Sequence, residues 1–418
     1  MTNQIADNNN TLYVESVAVN EIAKAYGTPV YVYSKAMLAD AFGQYVRAFD
    51  GAEHRVCFAV KVNSNLSILK LLGDLSAGFD IVSGGELARV IAAGCDTSKV
   101  VFSGVGKTAA EIAMALDANI ACFNVESLEE LNRIDEIARQ KNKIAPIALR
   151  INPDVDPKTH PYISTGMEKN KFGLNMVTAE QVYLAAAKMP NIHVEGISCH
   201  IGSQLTEISP FMDAIDRVLD MVDKLGAQGI ELKHLDIGGG LGIVYDKETP
   251  PSIAEWVSVF RQKVGKRNLM MMIEPGRSIT AKAGILATRV EYIKQTPKKT
   301  FVVVDAAMND LMRPALYQAW HTIRPVDVTD TPEIVCDVVG PICESTDRFG
   351  EDRQLSVLPN SYLAIMDAGA YGEAMSSNYN SRPRPASVLV DGDQTILIRQ
   401  RESFDDLFSL EKTGLITK

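Results

Sequence analysis

Residues 99–127 read KVVFSGVGKTAAEIAMALDANIACFNVES. A β-branched run, a polar turn, a helix-forming stretch and a second apolar run follow one another. Thr108 and Glu111 stand three apart where the helical part begins, the S/T-x-x-E/Q spacing of a capping box. Both flanking runs are almost continuously apolar, as strands covered on both faces are. Outward from this stretch the same unit recurs between about Arg55 and Arg277. The runs are RVCFAV, GFDIVS, KVVFSG, ACFNVES, IAPIALRIN, HVEGISCHIGS, LKHLDIGGG and LMMMIEPGR. Ser83–Glu86, Ser127–Glu130, Thr178–Gln181 and Ser252–Glu255 repeat the cap spacing where a strand should hand over to a helix. Eight βα units predict a (β/α)8 TIM-type barrel, placed at residues 36–280. An open doubly wound sheet is the competing arrangement, but no GxGxxG follows the first strand.

After Arg277 the texture changes. ILATRVEYIK, TFVVVDA, EIVCDVVG, YLAIMDAGAY and SVLVDGDQTILI are strand-like, with short turns and few helical stretches between them. The class is therefore α/β plus β, with a mainly antiparallel, sandwich- or barrel-like domain at residues 281–418. LYVESV and TPVYVYS, within residues 1–35, precede the first barrel strand and are expected to join that second domain.

The chain has 418 residues, 46% hydrophobic and 22% charged, the balance of an ordinary globular protein. Its formal charge of −10 argues against a nucleic-acid or anionic-membrane partner, whose footprint is basic. The opening MTNQIADNNN has neither a basic nor an apolar segment, and no apolar run approaches the ~20 residues of a membrane helix. Cys57, Cys95, Cys122, Cys199, Cys336 and Cys343 form no CxxC pair, which suggests a reducing cytoplasm. The histidines show no metal-ligand spacing, so no metal is expected.

Catalytic groups of such barrels sit at the carboxyl ends of strands. Those ends carry Lys61, Ser83, Gly104, Asn124, Arg150, His200, the GGGLG glycines and Glu274–Arg277. Lys61 ends the first strand. A lysine there is usually solvated, but in a barrel mouth desolvation lowers an amine's pKa, as a Schiff-base lysine requires. Gly239 and Gly240 either make a tight turn or let backbone N–H groups approach a phosphate. Gly276 and Arg277 follow the eighth strand, where barrels often bind phosphate. Glu274 is either a ligand-facing carboxylate or a partner for Arg277. His200 is either a hydrogen-bonded buried ring or a flat ring stacked on a planar cofactor beside Ser203. Together these groups suggest pyridoxal 5′-phosphate, with Glu274 keeping the pyridine nitrogen protonated.

The motifs AVKVNSN, RINPDVDPKTHPYISTG, KFGL, CHIGSQ, LDIGGGLG, EPGRS, NDLMRPALY, GPICESTD and DAGAYGEAMSSNYN extend this reading along nearly the whole chain. In that order they resemble the fold-type III pyridoxal-phosphate-dependent decarboxylases, and within them the branch acting on diaminopimelate. The resemblance implies an alanine-racemase-like barrel followed by a β domain. It implies decarboxylation of meso-2,6-diaminopimelate to L-lysine and CO2, the last step of lysine biosynthesis. Lys61 resembles the cofactor-binding lysine and His200 the residue against the pyridine face. Ser203, Gly239, Gly240, Glu274, Gly276, Arg277 and Tyr371 match cofactor contacts. Arg277, Arg313, Tyr317, Glu344 and Tyr371 match substrate contacts, and Cys343 matches the residue that reprotonates the substrate carbon. The family implies a homodimer whose active site takes the Cys-Glu segment from the partner.

The substrate chemistry fits these residues. Arginines 277 and 313 suit a distal carboxylate, and Glu344 suits the ammonium beside it. An ornithine or arginine decarboxylase on the same fold is the first rival, with a racemase beside it, and a non-catalytic regulatory homologue is the second. The family usually reads CESGD where this chain has Thr346, which puts that loop's backbone in question.

Overall fold

The computed structural model describes residues 4–156 and 170–415. Residues 157–166 of the RINPDVDPKTHPYISTG motif lie outside that range. Two compact units divide the chain. One comprises Ala41–Val244 and Glu248–Ser278; the other comprises Met1–Asp40, Tyr245–Lys247 and Ile279–Lys418.

The first unit is a closed parallel barrel. Its strands are His54–Ala59, Gly78–Ile81, Val100–Phe102, Cys122–Val125, Ala145–Asn152, Ile192–Cys199, His234–Asp236 and Met270–Ile273. Each pairs in parallel with the next. The last returns to the first through Met271↔His54, Met272↔Arg55 and Ile273↔Val56. Closure excludes the open doubly wound alternative. All eight expected runs hold one of these strands, because uninterrupted apolar runs are what a sheet buried on both faces requires.

The caps correct the sequence reading. Reciprocal capping boxes form at Thr108–Glu111 and Ser252–Glu255. Ser83 and Ser127 cap their helices, but Glu86 and Glu130 accept instead from the Val82 and Glu126 amides. Thr178 is not a cap: the helix Met176–Ala186 begins earlier, and Asn175 accepts from the Thr178 amide. An Asn or Asp cap satisfies the same orphan amide, so the motif shifted by one turn.

The second unit is built on a nine-stranded sheet. Its spine runs Arg348–Leu355, Ile334–Val339, Thr300–Val304, Gly284–Gln295, Val30–Ser34, Ala386–Asp391 and Gln394–Arg399. Most pairings are antiparallel; Thr300–Val304 with Ile334–Val339 and Val30–Ser34 with Ala386–Asp391 are parallel. The strand Val30–Ser34, from TPVYVYS, thus lies inside a sheet whose other strands come from beyond residue 280. LYVESV contributes to a separate three-stranded sheet that bonds through the Leu12 amide to the Val326 carbonyl. One apolar cluster joins Leu12, Val14, Val32, Ile285, Ala364 and Val388.

Candidate active site

Lys61 lies in a 3-10 turn, Val60–Val62, directly after the first barrel strand. Its Nζ stands 2.7 Å from Oδ2 of Asp80, which sits within the second strand and is fully buried. The lysine side chain is 36% exposed. The amine is therefore held by an opposite charge rather than isolated in an apolar pocket. A buried carboxylate without a partner would cost several kcal/mol, so the pairing constrains both groups.

The glycine turn after the seventh strand meets the loop after the eighth. The Gly238 amide donates to Asp236 Oδ1 at 2.8 Å, and the Glu274 amide donates to the Gly238 carbonyl at 2.9 Å. Gly238 and Gly240 have φ of 68° and 111°, the left-handed side that glycine tolerates. A Cβ on Gly239 would stand 2.2 Å from the Glu274 carbonyl oxygen, and one on Gly276 would stand 2.3 Å from a Val62 methyl. These glycines permit close backbone approach at the barrel mouth.

Glu274 is 8% exposed and accepts from Ser103 at 3.4 Å and Asn124 at 3.3 Å. Arg277 instead donates to Ser203 Oγ at 3.0 Å. Glu274 thus bonds to two neutral donors and to the Asp236 carboxyl. Burial, then the nearby Asp236 and Asp80 carboxylates, push Glu274 well above the usual carboxylate range. Burial pushes Asp236 up to about 6. Burial thus favours the protonated form of both acids.

His200 follows the sixth strand, and its Nδ1 accepts from the Gly239 amide at 3.3 Å. That bond assigns the ring hydrogen to Nε2. Burial, and then the Arg150 and Lys61 cations, hold the imidazole well below its ordinary pKa, so it is a neutral plane. Arg150 is anchored to Glu126 at 2.9 Å and lies 4.7 Å over the Phe172 ring of KFGL. Glu126 also accepts from the Gly173 amide, which fixes that motif.

Sequence reasoning singled out Lys61, His200, Ser203, Gly239, Gly240, Glu274, Gly276 and Arg277, and all belong to the barrel unit. It missed Asp80, Ser103 and Asp236, and noted Asn124 without a role. The available signal was a polar residue inside an apolar strand, as in GFDIVS, where burial demands a partner.

The remaining candidates belong to the second unit. Arg313 opens the helix Arg313–Tyr317 and is 6% exposed; Tyr317 closes it. Cys343 and Glu344 are exposed on a loop, and Glu344 accepts from the Tyr379 hydroxyl. Asp347 braces that loop by accepting from the Met308 and Ile342 amides at 2.7 Å each. Thr346 is not among the non-glycine residues with positive φ, so its place in CESTD needs no glycine. Tyr371 has φ of 56°, a strained value for a tyrosine, of the kind that collects at functional sites.

Among the described residues, no helix is long and apolar enough to cross a membrane. Residues 35–281 match the family described as pyridoxal-dependent decarboxylase, pyridoxal binding domain. The chain is 52% identical over 401 residues to diaminopimelate decarboxylase of Pseudomonas fluorescens, covering 96% of each chain. It is 48% identical to that of Aquifex aeolicus, covering 94% of each. The solved structure of diaminopimelate decarboxylase from Helicobacter pylori complexed with L-lysine superposes with a TM-score of 0.92 at 43% identity, over 95% of this chain and 100% of that one. The corresponding structure from M. jannaschii, also with L-lysine, gives 0.94 at 40% identity over 99% and 98%.

Proposed function

Because the chain belongs to the pyridoxal-dependent decarboxylases, and among them to the diaminopimelate decarboxylase family, we propose that it removes one carboxylate of meso-2,6-diaminopimelate to yield L-lysine and CO2. The observation that carries this reading is the Lys61 amine at the carboxyl end of the first barrel strand, 2.7 Å from buried Asp80.

The residues present fit pyridoxal 5′-phosphate. They offer a primary amine, a neutral ring, a buried carboxyl group, and a glycine turn where Cβ atoms would collide with protein at 2.2 to 2.6 Å. When bound, the cofactor supplies an electron sink for the pair left as CO2 departs. Lys61 is the amine that holds it, and Asp80 keeps that amine in place. The Gly239–Gly240 and Gly276–Arg277 segments, with Ser203, take its phosphate. His200 offers an uncharged face to the ring. Glu274 would keep the ring nitrogen protonated.

Substrate is bound by Arg277 and Arg313 through the distal carboxylate and by Glu344 through the ammonium beside it. Tyr317 and Tyr371 add hydroxyl contacts. Cys343 gives the proton that replaces the lost carboxylate. The protein acts as a homodimer, with Cys343 and Glu344 of the partner subunit completing each site. The six unpaired thiols suit a reducing cytoplasm.

The test is CO2 release and L-lysine formation by purified enzyme offered diaminopimelate, ornithine, arginine and lysine. Lys61→Ala should lose at least about a thousandfold in turnover, the loss expected of a missing covalent anchor. Normal turnover by that variant would overturn the reading, and preference for ornithine or arginine would overturn the substrate.

A further inference from the structure

We propose that His321 and Tyr245 are positioning residues that fix the Arg313 guanidinium and thereby set affinity for ligands carrying a distal carboxylate. The inference rests on the reading of Arg313 as a substrate-carboxylate contact.

Arg313 Nη1 lies 2.7 Å from His321 Nε2. The other ring nitrogen, Nδ1, lies 2.8 Å from the Met366 carbonyl oxygen. A carbonyl can only accept, so Nδ1 carries the hydrogen. A guanidinium can only donate, so Nε2 presents a lone pair. The two partners together assign one neutral tautomer. His321 is fully buried, and the Met366 carbonyl fixes the direction in which Nε2 points.

Tyr245 constrains the other coordinate. Its ring lies 4.5 Å from the guanidinium carbon, and it meets the His321 ring edge-on at 5.5 Å and 73°. The ring bounds the guanidinium on one side through a cation–π contact, while the hydrogen bond holds Nη1. A long flexible side chain is thus held in one pose before a ligand arrives, which reduces the ordering cost of binding.

The consequence is selective. L-lysine keeps the distal carboxylate, whereas 1,5-diaminopentane is the same skeleton without it. A residue acting through Arg313 should alter binding of the first and not the second. His321→Leu removes the acceptor, and His321→Gln returns an oxygen near the position of Nε2. The holoenzyme with His321→Leu should show a KM for diaminopimelate raised about tenfold or more, with kcat within about threefold of the parent. Inhibition by L-lysine should weaken by the same factor, inhibition by 1,5-diaminopentane should not change, and His321→Gln should recover most of the affinity. Tyr245→Leu should shift the same two quantities, which keeps the test open if His321→Leu fails to fold. Unchanged KM and lysine inhibition in both variants, or equal weakening of both inhibitors, would overturn the inference. Arg313→Gln separates it from its premise. If that variant also leaves KM and lysine inhibition unchanged, the carboxylate reading of Arg313 fails. If it raises them while neither positioning variant does, only the inference fails.

Discussion

Asp80 changes how Lys61 is to be understood. The sequence reading placed the lysine in a desolvating mouth, but the structure gives it a fully buried counter-charge at 2.7 Å. Asp80 was invisible to motif reasoning because a lone acid inside an apolar strand resembles an interruption of the pattern. Its meaning depends on a side chain nineteen residues away, in the turn after the neighbouring strand. His321 was missed for the same reason, since its partners come from separate segments. By contrast Lys61, His200 and Glu274 end their strands, and strand ends can be counted from sequence. Glu86 makes stability depend on pH. Burial, helped by Asp80, pushes its carboxyl from 4.5 up to about 7, against the opposing bond from the Val82 amide. The folded protein therefore binds a proton there that the unfolded chain releases at lower pH. Stability from this group is present below the unfolded value and declines as pH rises from about 4.5 to about 7. Glu86→Gln cannot titrate, so its melting temperature should fall less than the parent's over that interval. Superimposable melting-temperature profiles would show that Glu86 is solvated and ordinary.

The glycine turn Gly238–Gly240 shows what an element can demand of a sequence. It must bring the carboxyl end of the seventh strand against the loop after the eighth, and it does so through the Glu274 amide and Gly238 carbonyl. Glycine content was legible in LDIGGGLG; the reason for each glycine was not, because it depends on a backbone roughly thirty-five residues downstream. Gly239→Ala tests this. Its Cβ would stand 2.2 Å from a carbonyl oxygen, which cannot swing aside as a side-chain tip can. The variant should lose about 1–3 kcal/mol of stability, the usual cost of overpacking. It should also bind cofactor more weakly, because Glu274 shifts with its own carbonyl. Denaturant unfolding and cofactor absorbance measure the two effects, and parent-like values for both would mean the turn relaxes freely. The helix caps teach a related lesson. Cap spacing located four of the five helix starts it marked, yet Glu86 and Glu130 reach one residue further back than a box requires. Spacing fixes which amides lack partners, while the preceding loop decides which of them the carboxylate takes.

The barrel was legible because each of its units is local: a strand is followed by its own helix before the next strand begins, and closure needs only their number. The order of strands in the second unit was not legible. Val30–Ser34 pairs with Gly284–Gln295 and with Ala386–Asp391, across separations that no periodicity encodes. The Cys343–Glu344 loop is exposed. Cys343 and Glu344 are proposed to act on substrate, yet both are exposed in the single chain, while the Lys61–Asp80 pair belongs to the other unit. If each site takes Lys61 from one subunit and Cys343 from its partner, two defective variants can complement. Lys61→Ala supplies an intact cysteine loop, and Cys343→Ala supplies an intact lysine. Each homodimer has two broken sites; a heterodimer has one site broken twice and one fully intact. Random reassociation of equal amounts makes half of the dimers mixed, so the mixture should recover about a quarter of parental activity. Activity should follow the heterodimer fraction as the mixing ratio is varied. If both residues serve a site within one chain, no pairing restores an intact site, and the mixture stays at the sum of its parts.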